Sequence, residues 1–168
     1  MTHEPWRWAW RSGLLRAELR PGDDWLDLGS GGGRFLELAP GGIGVDPDPA
    51  SPGLPLDDGH IPLGHGSVDL VWCSEVIEHV ADPLALLFEA RRVLRPGGRL
   101  LLTTPAHPLV RRVAIAALRF DAHFDPMGGH LRFFTRASLT QTLAAAHFAD
   151  VAVSTRHATL VARATRTG

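Results

Sequence analysis

Apolar positions along this chain switch between two periods. From Pro5 to Arg20, Trp6, Trp10, Leu14 and Ala17 recur at helical spacing, Pro5 suits a first turn, and Pro21-Gly22 ends the run. Asp24 to Leu28 is a short apolar strand running into Gly29-Ser30-Gly31-Gly32-Gly33. Arg34 to Leu38 begins a helix that Pro40-Gly41-Gly42 cuts off, and Ile43 to Val45 is a second strand ending at Asp46. The stretch from Pro47 to Gly66 has no helical period and is rich in Pro, Gly and Asp, so it predicts a loop with at most a remnant strand at Leu54 to Leu56.

The second half repeats the alternation. Val68 to Cys73 reads as a buried strand. Asp82 caps a helix with Pro83 at its first position, and Leu84, Leu87, Phe88, Arg91 and Leu94 carry it to Pro96-Gly97-Gly98. Arg99 to Thr104 is a continuous apolar run suited to a strand covered on both faces. Pro108 to Phe120 is helical by spacing, Asp121 to His130 is loop, and Thr135 caps a helix reaching about His147. Val151 to Ser154 and Thr159 to Ala162 form a closing hairpin. Strands alternating with helices predict an α/β fold: a Rossmann-like, mostly parallel sheet with helices on both faces and a C-terminal antiparallel hairpin. Ligands of such sheets bind at the carboxyl ends of the strands, near the topological switch point.

Composition narrows the chemistry. The 168 residues fit one domain (1–168), with 1–22 as an N-terminal helix and 105–134 as a cap on the acceptor side. Hydrophobic content of 45% and a net charge of -1 are ordinary for a globular protein, and no nucleic-acid partner is expected. Cys73 is the single cysteine, so no internal disulfide forms and a cytoplasmic location is expected. No apolar run approaches a transmembrane span, and the Trp6-Arg7-Trp8 start lacks the apolar core of a secretory leader. All 17 basic residues are arginine and tyrosine is absent. A Walker A loop and a pyridoxal enzyme both need a lysine.

The segment Asp27-Leu28-Gly29-Ser30-Gly31-Gly32-Gly33 lets the chain turn sharply and brings backbone N–H groups close to a ligand. Asp46 stands at the end of the next strand, where a carboxylate can accept both hydroxyls of a ribose. Together they point to a nucleoside ligand. From here the sequence resembles the class I S-adenosylmethionine-dependent methyltransferases, in particular the methyltransferase-11 type group that includes ubiquinone and menaquinone biosynthesis enzymes. The resemblance runs over roughly Asp24 to Thr104. Ser67-Val68-Asp69-Leu70-Val71, Cys73-Ser74-Glu75-Val76-Ile77-Glu78-His79-Val80, Arg92-Val93-Leu94-Arg95-Pro96-Gly97-Gly98 and Thr103-Thr104-Pro105 match family segments in order.

The resemblance implies S-adenosylmethionine as cofactor. It implies Asp27, Gly29, Ser30, Gly31 and Gly33 around the methionine end, Asp46 on the ribose, Pro47 against the adenine, and Asp57 or Asp58 accepting from the adenine amino group. Cys73 and Ser74 would complete the cofactor side. One departure stands out: Asp57 follows Asp46 by only 11 positions. The family places a helix and a strand there, which need about 16 residues. The fold is therefore shortened between strands 2 and 4, and the adenine side of the pocket is expected to be thinner.

Methyl transfer from a sulfonium expels a neutral thioether, so holding acceptor and methyl in line is the main task. A general base is needed only if the acceptor must lose a proton. His107, His79 and His130 are the candidates, each with a structural alternative. The arginines at 111, 112, 119, 132 and 136 either clamp an anionic acceptor or form a solvated face. The histidines show no zinc-like spacing, so no metal is expected. The acceptor is expected to be a small molecule, and the oligomeric state is left open. A nicotinamide-dependent oxidoreductase and a non-catalytic, cofactor-binding regulator remain the alternatives.

Overall fold

The computed structural model describes residues 5–56, 59–107, 117 and 132–168. The expected segments Pro108 to Phe120 and Asp121 to His130, and the residues Asp57 and Asp58, lie outside the described residues, apart from residue 117, which is helical. Three α-helices are described: α1 (Pro5–Glu18), α2 (Pro83–Val93) and α3 (Arg136–Ala145). Seven strands form one sheet: β1 (Trp25–Leu28), β2 (Gly42–Asp46), β3 (Leu54–Pro55), β4 (Val68–Ser74), β5 (Leu94–Pro105), β6 (Phe148–Arg156) and β7 (Thr159–Arg166). Their order is β3-β2-β1-β4-β5-β7-β6. The pairs from β3 to β5 are parallel, and β7 runs antiparallel to both β5 and β6. The chain winds outward from β1 to β3, then returns to place β4 on the other side of β1. The switch point is therefore the carboxyl end of β1 and β4.

Alternation along the strands splits the core into two layers. Trp25, Leu70, Trp72, Leu101 and Val161 face one side and pack with Leu15 of α1. Leu26, Leu28, Val71, Cys73, Leu100, Leu102, Leu160 and Ala162 face the other, against Leu87, Ala90 and Val93 of α2 and Leu139 and Leu143 of α3. Each fully buried Leu contributes roughly 2 kcal/mol, so the layers supply most of the driving force.

Four local expectations change. The buried stripe of α1 is centred on Ser12 and Leu15, flanked by Trp10 and Leu14, while Trp6 is 49% exposed and Ala17 lies outside. Trp8 turns the stripe: its ring stacks on Phe35, which meets Trp72 edge-on. The helix therefore covers the sheet. In α2, Leu87, Ala90 and Val93 are buried, whereas Leu84 and Phe88 are exposed. Asp82 caps this helix by accepting from the backbone N–H groups of Leu84 and Ala85, but the helix stops at Val93. Leu94 is already extended and pairs with Val68, so Arg95-Pro96-Gly97-Gly98 is an irregularity inside β5. The expected helix from Arg34 to Leu38 is a single 3-10 turn, Leu36–Leu38. Phe35 at its start makes no side-chain cap, and one uncapped turn before Pro40 cannot nucleate an α-helix.

Polar ties fix α1 to the sheet. Arg99 on β5 donates to the Glu18 backbone carbonyl and to Asp23, and the Arg163 guanidinium pairs with Glu18 at 2.8 Å. The capping box at the start of α3 is complete: Thr135 and Ser138 bond reciprocally.

Candidate functional site

Of the residues expected on the cofactor side, Asp27, the Gly29 to Gly33 loop, Asp46, Pro47, Cys73 and Ser74 lie at or beside the carboxyl ends of β1, β2 and β4, while Asp57 and Asp58 lie outside the described residues. Gly29 follows β1 at φ +80, and a Cβ there would lie 2.3 Å from Val76 Cγ2. Only glycine fits this approach. Gly31 and Gly32, by contrast, face open space: a Cβ on either would meet nothing within 4 Å. The loop is thus tight toward the protein and open on the outer side. Gly29→Ala should therefore cost about 2–4 kcal/mol of stability, from overlap plus a strained φ. Gly31→Ala, at φ +50, should cost only about 1 kcal/mol while pushing a methyl toward the ligand side. Urea unfolding of the two variants separates these effects; equal midpoints would contradict the assignment of the two sides.

Asp46 locks the rim. Its Oδ2 accepts from the Gly31 N–H at 2.7 Å and its Oδ1 from the Asp48 N–H at 2.9 Å. Each carboxylate oxygen keeps a further lone pair for a ligand hydroxyl. Ser51 closes the other side, donating to the Gly31 carbonyl at 2.6 Å and lying 3.2 Å from Ser30 Oγ. This is how the short connection works. Residues 47–53 make one turn with no helix, and Gly53 slips against Gly44, where a Cβ would lie 2.7 Å from backbone. The strand of the usual pattern survives as β3, paired with Val45 and Asp46. Pro47 is exposed beside it.

Asp27 is 1% exposed, and its Oδ2 has no hydrogen-bond partner. Burial, then the nearby Asp46 charge, push its carboxyl up to about 7. An orphaned buried oxygen beside an open glycine loop fits a cationic group such as an amino-acid ammonium. Cys73 is buried in the α2/α3 layer, and burial, with nearby carboxylates adding, holds its thiol well above its ordinary range, which disfavours a nucleophilic thiolate. Ser74, at the end of β4, lies 3.0 Å from Thr103 Oγ1 and accepts from Arg11 of α1 at 3.4 Å.

The side expected to face an acceptor begins after β4. Glu75 takes a left-handed φ of 58, turning the chain sharply, and its carboxylate accepts from Thr103 Oγ1 at 3.1 Å. Glu78 is buried, and its Oε2 accepts from Thr104 Oγ1 at 2.9 Å. His79 is half-exposed beside it, Nε2 lying 3.8 Å from Glu78 Oε1. His107 follows β5, meets the Phe133 ring edge-on at 4.9 Å and lines a groove of about 530 Å³ with Ala106, Phe134, Arg136 and Leu160. The structure thus sets His79 and His107 beyond the ends of neighbouring strands, while His130 lies outside the described residues. Arg132 donates to the Val80 and Ala81 carbonyls, pinning the segment before α3 to the turn after β4. Arg136 is exposed, and the arginines at 111, 112 and 119 lie outside the described residues. Among the described residues no group of three His, Cys, Asp or Glu is placed to hold a metal, and no helix is long and apolar enough to cross a membrane.

Glu78 and Arg11 escaped the sequence reading. Arg11 meets Ser74 across 63 positions, which no local pattern encodes. Glu78 had a signal: an acid inside the apolar stretch Val76-Ile77 to Val80.

Comparison with known proteins follows the same outline. Residues 6–153 match the model of a methyltransferase domain family. An uncharacterised 37.1 kDa protein of a Streptomyces fradiae transposon is 40% identical over 119 residues, 58% of this chain and 34% of its own. The mitochondrial ubiquinone biosynthesis O-methyltransferase of Schizosaccharomyces pombe is 33% identical over 127 residues, 62% of this chain and 46% of its own. The alignments thus span about a third to a half of these relatives. A Thermotoga maritima S-adenosylmethionine-dependent methyltransferase superposes with a TM-score of 0.72 at 22% identity, over 93% of this chain and 87% of its own.

Proposed function

We propose, for a chain that belongs to the class I S-adenosylmethionine-dependent methyltransferases, that it transfers a methyl group to a small-molecule acceptor seated beyond the ends of β4 and β5. The family's methyl donor is S-adenosylmethionine, which supplies an electrophilic methyl on a sulfonium. One observation carries the assignment of the cofactor side: the Asp46 carboxylate and the glycine loop are bonded into one rim, with ligand-side lone pairs still available.

Each residue then has a task. Asp46 accepts from the ribose hydroxyls, with Pro47 and Asp57 or Asp58 toward the adenine. Gly29 to Gly33, with Ser30 held by Ser51, give the methionine portion its backbone cradle. The unpartnered Asp27 oxygen binds the ammonium, which restores the charge that burial opposes. Ser74 and the Cys73 backbone line the floor. Because the leaving group is neutral, in-line placement supplies most of the acceleration, and a base acts only on an acceptor that loses a proton. His79 and His107 are the described bases within reach of that side, and His130 is a third candidate. The segment 105–134 covers the acceptor within a single domain. Near-neutral charge supports a small molecule over nucleic acid, and the lone cysteine supports a cytoplasmic setting.

The test is release of S-adenosylhomocysteine over a panel of phenols, alcohols, amines and carboxylic acids. Turnover with at least one small molecule is expected. Tight binding of S-adenosylhomocysteine with no turnover across the panel would instead favour a cofactor-binding regulator.

A further inference from the structure

Glu78 is, among the described residues, a buried carboxyl to which methyl transfer, as assigned above, gives no task. It is 2% exposed, its Oε1 has no hydrogen-bond partner, and Oε2 is occupied by Thr104 Oγ1 at 2.9 Å. Among the described residues, the groups facing it are Glu75 on its own turn, Cys73 on β4, Thr104 on β5 and His79 beside it. Its backbone carbonyl accepts from the Arg132 N–H, but the Arg132 guanidinium is committed to the Val80 and Ala81 carbonyls. No arginine side chain among the described residues pairs with this carboxyl. A carboxyl kept buried without a cation is costly, and such groups concentrate where proton chemistry occurs.

We propose that Glu78 is a positioning residue: its inward oxygen, 3.8 Å from His79 Nε2, prepares that ring to take a proton from a hydroxyl or amine acceptor. The inference rests on the methyltransfer reading. As the acceptor's lone pair forms its bond to the methyl carbon, the methyl–sulfur bond breaks and its electron pair stays on sulfur. The acceptor's proton passes to His79, and the imidazolium that results lies against the Glu78 carboxylate. The proton then leaves to water from the exposed side of the ring, since the His79 side chain is 41% exposed. Burial, with the Glu75 charge adding, pushes the Glu78 carboxyl up to about 7, so the pair becomes fully competent only above neutral pH. Carboxylic acid acceptors, which are ionised already, need none of this.

The test uses the full chain, as wild type and as Glu78→Gln, which retains the amide oxygen for Thr104. With S-adenosylhomocysteine bound, ¹⁵N signals of the His79 ring are followed from pH 5.5 to 9. In Glu78→Gln the ring should be harder to protonate, while the affinity for S-adenosylhomocysteine changes by less than about twofold. With catechol, whose hydroxyl stays protonated near neutrality, as probe acceptor, kcat should fall about 30-fold at unchanged KM, and the rise in rate around pH 7 should disappear. With benzoate the rate should be unchanged. Identical His79 titration in the two proteins, or equal loss of rate with benzoate, overturns the proposal. If no probe reacts in the wild type, that counts against the acceptor assignment, and the ring titration alone decides the role of Glu78.

Discussion

Asp46→Ala should lower affinity for S-adenosylhomocysteine by on the order of a hundred- to a thousandfold while leaving the protein folded. The carboxylate is expected to accept two ribose hydroxyls, and a hydrogen bond to a charged group contributes about 1.5–3 kcal/mol. The residue also accepts from Gly31 and Asp48, so the loop itself loosens. Asp46→Asn should not rescue binding. An amide has one acceptor oxygen, so its NH₂ would face one of those two backbone donors. Its stability should fall by about 1–3 kcal/mol for the donor left unpaired. Calorimetric titration with S-adenosylhomocysteine, beside urea unfolding of each variant, measures both effects. Undiminished affinity in Asp46→Ala would remove the carboxylate from the cofactor site.

The second large effect concerns Asp27 and has opposite signs for stability and for binding. In the unliganded protein its carboxyl is pushed up to about 7 from 3.8, by burial first and by Asp46 second. The native state therefore holds a proton between about pH 4 and 7 that the unfolded chain has released. For an acid with a raised pKa the stabilisation is complete below the unfolded value and is lost as pH rises through the folded one. Glu78, also pushed up to about 7, acts in the same direction. Wild-type stability should thus fall from pH 5 to pH 8. Asp27→Asn should remove part of that slope and be more stable than wild type at pH 8, by on the order of a few kcal/mol at most. Binding runs the other way. On the proposal that Asp27 binds the ammonium, binding needs the ionised carboxylate, so wild-type affinity should drop below pH 7, approaching tenfold per pH unit. Asp27→Asn should bind weakly at every pH, without that dependence. Thermal unfolding at pH 5 and pH 8, with titrations across the same range, measures the pair of effects. A variant that loses stability at pH 8, or that keeps the wild-type pH dependence of binding, would show Asp27 to be a scaffold residue.

What the chain discloses in order and what it hides follow from locality. The glycine loop, Asp46, the caps at Asp82 and Thr135 and the closing hairpin were legible because each depends on neighbours in sequence: a positive φ, a side chain reaching the next turn, a period of two. Helix faces were less so. Trp6, Leu84 and Phe88 look like core by size, yet the buried side of α1 is set by Trp8 meeting Phe35 and that of α2 by Ala90 and Val93 meeting the sheet. The failed helix after Arg34 was one uncapped turn with an apolar pattern, and period alone does not distinguish that from an α-helix. At the site, the short passage from Asp46 to β3 could be seen as a deficit, but its repair by Ser51 and Gly53 could not. The Thr104–Glu78 bond and the reach of Arg11 to Ser74 join residues far apart in the chain, so only the folded sheet shows them.

The most direct test is calorimetric titration of the full chain with S-adenosylhomocysteine and, separately, with NADH at pH 8. Saturable one-to-one binding of S-adenosylhomocysteine and no heat from NADH is predicted. Binding of NADH alone, or of neither nucleoside, would contradict a methyl-donor site at the ends of β1 and β2.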